Sequence, residues 1–382
     1  MRVLHVIPSV SERSGGPGMA IVPMCRALQK RGIDVVLVTT DAAMRAFEFC
    51  QAIDYEGVPA IFFPTQLGES FKYSRPLSIW LKQNVSGYEL AHIHAVFNHS
   101  SVAAARECRK QRVPYVIRPL GTLDPWSMKQ KQWRKRIFWS LAGESMLSGA
   151  AAVHYTSDGE KTATEGLLGA DHGQVIPLGI DVDTDSINGS GRDRSANPYV
   201  LVLSRLHPKK GLDVLIDAFI ALTQQPGLNQ WRLVIAGDGP ADHVSLLKRK
   251  AAAAQDRIVF TGWVDGERRE EMLQNASLLV LPSFQENFGL CVMEALARSV
   301  PVLVSPHINL ASEIQEANAG WIAPVERQAL TEKLAEAMSD PEEREKRGRA
   351  GKLLSNNYSW ERTATDLVKL YAGITNGSAG LH

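Results

Sequence analysis

Short apolar runs recur along the chain, separated by longer stretches whose apolar positions return every three or four residues. The runs read as strands and the stretches as helices packed over them, the sign of βα units around a parallel sheet. In the first half, strands are predicted at Val3–Ile7, Val35–Thr39, Ile61–Phe63, Leu90–His94, Tyr115–Arg118 and Ala152–Tyr155, with a further one at Gln174–Ile176. Helical patterns between them include Gly18–Arg31 and Ser101–Gln111. Periodicity vanishes over Gly179–Pro198, where Asp, Ser, Asn and Gly dominate, and this reads as an interdomain connection. A second series then starts abruptly at Tyr199–Ser204, followed by Arg232–Ala236, Ile258–Thr261, Leu278–Leu281, Val300–Val304 and Gly320–Ile322. The pattern predicts an α/β protein of two successive doubly wound parallel-sheet domains, with ligands beyond the carboxyl ends of the strands. The last segment, Tyr358–Tyr371, is helical, with Trp360, Leu367, Leu370 and Tyr371 as its apolar side. Periodicity does not say which domain it covers.

Composition narrows the class. A chain of 382 residues is too long for one ordinary core and comfortable for two. A net charge of +1 gives no reason to expect nucleic acid as a partner. The charge is unevenly spread: residues 1–178 carry 20 Lys/Arg and 15 Asp/Glu, a net of +5, which leaves −4 for the rest. Cys25, Cys50, Cys108 and Cys291 are far apart, form no C-x-x-C pair, and fit a reducing compartment. The opening apolar run is too short for a signal peptide, and no stretch approaches about 18 uninterrupted apolar residues. A cytoplasmic protein is expected.

The strongest local signal is Pro282-Ser-Phe-Gln-Glu286-Asn287-Phe288-Gly289-Leu290-Cys-Val-Met-Glu294, a strand end opening into a helix. Gly289 lets the backbone approach a ligand, and free N–H groups at a helix start attract phosphate. Glu286 can accept hydrogen bonds from sugar hydroxyls, and Glu294 can take two ribose hydroxyls. For two glutamates alone the commoner use is a helix cap and a solvated helix position. A second signal is Ser204-Arg205 followed by Lys210-Gly211, just past a strand end. An Arg fork and a Lys point charge suit a diphosphate; a solvated basic turn is the bland alternative. Gly237-Asp-Gly239 and Thr261-Gly262 also follow strands, and either is weak by itself.

In the first half, Ser14-Gly15-Gly16-Pro17-Gly18 lies between a strand and a helix. It is not G-x-G-x-x-G, so hydride chemistry is not favoured, but its backbone could meet a phosphate. A flexible turn serves as well. His92, His94 and His99 follow a strand without metal-ligand spacing. His94 is a candidate for substrate hydrogen bonding, although a satisfied structural histidine is the more common outcome.

Taken together, these segments resemble family 4 of the retaining GT-B glycosyltransferases over nearly the whole chain. The most specific element is E-x7-E, at Glu286 and Glu294; Ser204, Arg205, Lys210 and Gly211 match Ser-Arg-x4-Lys-Gly. The Gly-Asp-Gly and Phe-Thr-Gly turns, Gly15–Gly16, and Ile176-Pro-Leu178-Gly-Ile-Asp181 fall in the family's order, with Leu178 where Asn is frequent. The resemblance implies a GT-B architecture of two Rossmann-like domains facing across a cleft. The acceptor domain would span 1–178 plus a returning helix in 358–382, and the donor domain 179–357. Arg205 and Lys210 would neutralise the diphosphate and stabilise the leaving nucleotide. Glu286 would hold the donor sugar, with the backbone of Asn287, Phe288, Gly289 and Leu290 beside it. Glu294 would bind ribose, and Gly16, Gly237 and Gly262 would line the donor. The reaction would retain anomeric configuration, with no metal and no cofactor besides the nucleotide sugar.

One departure stands out. Many relatives carry a histidine before a glycine at the end of an N-domain strand, where this chain has Leu120-Gly121 within Arg118-Pro-Leu120-Gly121-Thr-Leu-Asp124. The pattern looks like a branch that makes bacterial surface polysaccharides. Arg118 or Asp124 is left to take over the polar duty, with Asp124 preferred as general base for the acceptor hydroxyl. Residues 126–139 interleave Lys129, Lys131, Arg134, Lys135 and Arg136 with Trp133, Ile137, Phe138 and Trp139. Such a segment can rest on anionic lipid, suiting a polyprenyl-linked acceptor, or be an ordinary amphipathic helix with its aromatics in the core. The expected activity is hexose transfer from a nucleoside-diphosphate sugar to a saccharide or lipid-linked saccharide. An epimerase or hydrolase of the same fold and an idle sugar-nucleotide binder are the rivals.

Overall fold

The apolar runs fold as strands of two separate sheets in a computed structural model, which describes residues 1–11, 15–40, 49–68, 71–130, 132–168, 173–181 and 197–378. The chain divides into one unit of Met1–Gly179 with Trp360–His382 and a second of Ile180–Ser359. Residues 182–196 of the expected connection lie outside the described residues, as do Ser14 and Lys131.

In the first unit the strands are β1 (Arg2–Ile7), β2 (Asp34–Thr40), β3 (Ala52–Tyr55), β4 (Val58–Phe63), β5 (Leu90–His94), β6 (Tyr115–Arg118), β7 (Ala152–Tyr155) and β8 (Gly173–Val175). Their order is β3-β4-β2-β1-β5-β6-β7-β8, parallel except for β3 on β4. Side chains alternate across a strand, so each run feeds two layers. Leu4, Val6, Ala91, Ile93, Ile117 and Val153 enter one apolar core, together with Leu77 and Leu81 from helix Arg75–Asn84 and Ala104 and Cys108 from helix His99–Gln111. Burying each large aliphatic contributes about 1.5–3 kcal/mol. The opposite phase carries His5, His92, His94, Arg118 and His154, all fully buried. Helix Gly16–Lys30 and the final helix Trp360–Ser378 supply Met24 and Tyr371 to this second layer.

Strand β3 was not among the predicted strands. It is a four-residue edge strand with only partial burial, joined to β4 through Glu56 (φ 53°) and Gly57 (φ 82°). Two positive φ values make a tight hairpin turn, but Glu-Gly is a weaker signal than Asn-Gly or Asp-Gly. The final helix belongs to the first unit, running on to Ser378. Its buried side is Trp360, Ala364, Leu367 and Tyr371; Leu370, expected on that side, is only half-buried.

The second unit has β9 (Tyr199–Leu203), β10 (Arg232–Ala236), β11 (Ile258–Gly262), β12 (Leu278–Leu281), β13 (Val302–Val304) and β14 (Gly320–Ile322). The order β11-β10-β9-β12-β13-β14 is wholly parallel. This is the doubly wound order whose direction reverses between the first and fourth strands, here β9 and β12. The loops leaving those two neighbours therefore diverge to opposite faces and open a crevice at their carboxyl ends.

Candidate active site

The loop after β9 carries Arg205 and Lys210, and the loop after β12 carries Glu286. Sheet order alone thus brings together residues 76 positions apart. Lys210 closes a short helical turn, Pro208–Lys210, whose start is capped by His207 Nδ1 accepting from Lys209 N at 3.2 Å. Gly211 follows at φ 63° and begins helix Leu212–Leu222. A Cβ on Gly211 would stand 2.3 Å from Pro282 O, so the two loops meet only because that position is glycine. Phe284 N donates to Lys209 O at 2.8 Å, locking one loop to the other.

The Lys210 ammonium donates directly to Glu286 Oε2, and both side chains are largely withdrawn from solvent. Burial alone would raise the Glu286 carboxyl. Lys210, Lys209 and Arg205 outweigh it and hold the group below the ordinary carboxylate range. Glu286 is also fixed through its backbone, its N–H donating to His307 O at 3.1 Å and its carbonyl accepting from Asn309 N at 3.2 Å. Asn309 Nδ2 reaches Asn287 Oδ1 at 3.2 Å. Gly289, at φ 71°, starts helix Leu290–Ala297 with no side-chain cap; its carbonyl accepts from Val292 N at 2.8 Å, and the N–H groups ahead of Val292 have no intrahelical acceptor. Neither bland use of the two glutamates is adopted: Glu286 does not cap the helix, and Glu294 is not solvated. Glu294 accepts from Arg269 of helix Gly266–Asn275, with both side chains under one-fifth exposed. Between the glutamates, burial pushes the Cys291 thiol up to about 12 despite the Lys210 charge, which disfavours the thiolate. Phe288 turns inward against Tyr358, which leaves only its backbone for a ligand.

The glycine turns have a structural task. Gly237 sits at φ 141°, and a Cβ there would lie 1.9 Å from Ser204 O; one on Gly239 would lie 2.0 Å from Leu206 O. These glycines let the turn after β10 pack directly beneath the loop that holds Arg205, with Leu206 N donating to Asp238 O at 2.8 Å. Gly262 is different: at φ 73° a Cβ would meet open space. Gly237→Ala is therefore expected to displace the Ser204–Leu206 backbone. The predicted outcome is a stability loss of about 1–3 kcal/mol and a fall of about a hundredfold in kcat/KM. Melting temperature and steady-state kinetics measured on the same preparation check both.

The first unit places its polar candidates elsewhere than expected. Arg118 and His94 are fully buried beneath the two covering helices rather than presented to a ligand. Burial, eased by Glu160, lowers Arg118 to about 10, still cationic at neutral pH. Among the described residues, its Nε and Nη2 have no hydrogen-bond partner, and Nη1 meets only Met24 Sδ at 3.7 Å. His94 Nε2 pairs with His5 Nδ1 at 3.1 Å. His99 leaves the expected trio to bond Ser74 N and Ser78 Oγ, both at 3.2 Å. His5, His92 and His94 bring ring nitrogens within 4.8 Å of one another, but the adjacent Arg118 charge opposes a cation there. Asp124 uses one oxygen to cap helix Pro125–Lys129, accepting from Trp126 N at 2.8 Å. Gly16 opens helix Gly16–Lys30, whose start at Gly15 (φ 90°) has no side-chain cap.

Comparison with known proteins decides the family. Residues 183–354 match the profile for glycosyl transferases group 1, and residues 15–179 match the glycosyl transferase 4-like domain. The chain belongs to the group 1 glycosyltransferases. Along most of its length this glycosyltransferase is 24 % identical to a D-inositol 3-phosphate glycosyltransferase of Jonesia denitrificans, covering 94 % of this chain and 91 % of that one. A GDP-mannose-dependent phosphatidylinositol dimannoside mannosyltransferase of Mycobacterium tuberculosis is 31 % identical over 53 % of this chain and 52 % of its own. Sucrose-phosphate synthase of Thermosynechococcus elongatus has the same fold, with a TM-score of 0.79 at 20 % identity over 98 % of this chain and 99 % of that one. Anabaena HepE in complex with UDP-glucose gives 0.77 at 21 %, over 98 % and 100 %. The GT-B architecture is thereby established for this glycosyltransferase. Beyond the anticipated residues, the second unit adds Arg269, His207, Lys209 and the 307–309 loop.

Proposed function

We propose that the enzyme transfers a hexose from a nucleoside-diphosphate sugar to a saccharide or polyprenyl-linked saccharide, with retention of configuration, in the synthesis of a bacterial surface polysaccharide. The observation that carries the donor half is the Lys210–Glu286 pair at the β9/β12 crossover, with Arg205 and the start of helix Leu290–Ala297 beside it. Two cations and free backbone N–H groups converge where a diphosphate would develop charge on leaving. Glu286, held ionised, has a second oxygen to accept from a sugar hydroxyl. Glu294, oriented by Arg269, accepts from the ribose. Arg205 and Lys210 supply the positive charge, so the reaction runs without a metal in this reading. A relative named for its dependence on GDP-mannose supports a nucleoside-diphosphate donor.

Thermal-shift titration with UDP, GDP, ADP and their sugars tests the reading. A nucleotide at a hundred times its Kd stabilises by about 2.7 kcal/mol, or about 5–10 °C in a unit of this size. No response to any of them would sink the proposal. Release of free or epimerised sugar at full rate without an acceptor would favour the epimerase or hydrolase instead.

A further inference from the structure

Residues 126–148 form a surface whose two sides differ sharply. After helix Pro125–Lys129, a second helix, Gln132–Phe138, runs into a π turn, Trp139–Gly143, and a third helix, Glu144–Ser148. The inner side packs Phe138 and Trp139 against the first unit's core, and Phe138 meets Phe97 at 5.1 Å. Lys135 is turned inward too, donating to Ser127 O at 2.6 Å and lying over the Phe97 ring. The outer side shows Trp133, Ile137 and Leu141, exposed by 64 %, 51 % and 79 %. They recur every fourth residue. The π turn, in which Glu144 N reaches Trp139 O, carries the helical path on through Leu141.

Exposed apolar side chains in a row mark an interaction surface, and their surroundings identify the partner. Arg134 and Arg136 flank the row, both exposed, and Lys129 is exposed at its start. Arg134 lies over the Trp133 ring at 5.1 Å, so its stem and the indole form one amphipathic unit. Between Asp124 and Glu144 the chain holds five basic and no acidic residues. We propose that this face docks on an anionic lipid bilayer, with Trp133, Ile137 and Leu141 entering the headgroup region and Arg134 and Arg136 pairing with lipid phosphates. The binding follows from the surface itself; only its purpose, access to a lipid-linked acceptor, rests on the proposed function.

The test is flotation of the full chain with vesicles of phosphatidylcholine alone and of an equimolar mixture with phosphatidylglycerol. The protein should float with the mixed vesicles and not with the neutral ones. Arg134→Gln with Arg136→Gln should weaken binding by about tenfold or more. Trp133→Ser with Ile137→Ser and Leu141→Ser should abolish it while leaving the melting temperature and the nucleotide-induced shift unchanged. Failure to float with either vesicle, or flotation that survives the triple replacement, would overturn the proposal. A dimer in solution that the triple variant converts to monomer, without lipid binding, would make the face a self-interface and overturn it as well. Nucleotide response is read separately, so loss of the donor reading would not be mistaken for loss of this one.

Discussion

Lys210→Ala is expected to lower kcat/KM for sugar transfer by about a hundred- to a thousandfold, the usual effect of removing one preorganised group from a developing negative charge. The same change leaves Glu286 withdrawn from solvent without the cation that holds it ionised. Burial is then opposed only by Lys209 and Arg205, and the carboxyl rises from its depressed range. Two effects are therefore superimposed: lost stabilisation of the leaving diphosphate and an uncompensated carboxyl that costs about 3–5 kcal/mol when such a pair is fully buried. Lys210→Met combined with Glu286→Gln separates them. The double variant removes both charges and should recover most of the melting temperature, yet stay as inactive as the single one. Full recovery of activity in it would show the pair to be structural. An unchanged affinity for nucleoside diphosphate in Lys210→Ala would show that the phosphate lies elsewhere.

Why this pair was legible in the sequence is a matter of topology. Both loops follow strongly apolar strands, β9 and β12, and a doubly wound sheet makes the ends of those strands neighbours. Arg269 was not legible. It lies on an amphipathic helix 25 residues before its partner Glu294, among other charged residues, and nothing in the spacing separates it from a solvated face. The glycines of the Gly237-Asp-Gly239 turn were noticed for a ligand, whereas the space beneath them is filled by Ser204 and Leu206. Contact with another loop leaves no trace that distinguishes it from contact with substrate. The 126–139 segment divides by side: Phe138 and Trp139 pack on the core as in an ordinary amphipathic helix, while the four-residue spacing of Trp133 and Ile137 leaves those two exposed.

Arg118 and His94 show a different limit. Their position at strand ends suggested access to a ligand, but side-chain phase decides which layer they enter. A parallel sheet covered on both faces normally reads as continuous apolar runs. His5, His92, His94, Arg118 and His154 share the phase opposite to the apolar core, and His5 lies directly across from His92 in the β1–β5 register. That coincidence was available in the sequence once strand register was known, and it points to a buried polar layer rather than a binding edge.

The proton positions of His154 and His92 in that layer are fixed by geometry, and the buried imidazoles make the first unit sensitive to acid. His154 Nε2 faces Ile176 O at 2.8 Å and must donate. Its Nδ1 is then bare and accepts from His92 Nε2 at 3.3 Å; His92 Nδ1 in turn accepts from Tyr371 Oη at 2.6 Å. Each link requires a neutral imidazole. Burial, reinforced by Arg118, lowers His5 and His154 to about 3, and burial with neighbouring charges lowers His92 and His94 well below their ordinary value of 6.5. The unfolded chain takes up these protons near pH 6.5, and the folded chain does not. Stability is therefore complete above that value and falls as pH drops below it, by up to about 1.4 kcal/mol per histidine per pH unit. Four such groups predict a loss of about 5 kcal/mol between about pH 7.5 and 5.5. This is about 10–20 °C in melting temperature for a unit of this size. His99 and His207, only partly buried, add less. Carboxylates hardly titrate in that window, so the fall belongs to the imidazoles. Thermal melts across the range check the size of the effect, and imidazole NMR signals that stay neutral at pH 5.5 check its origin. A change of only about 2–3 °C, or four histidines titrating near 6.5 in the folded protein, would contradict the hydrogen-bond chain from Ile176 to Tyr371.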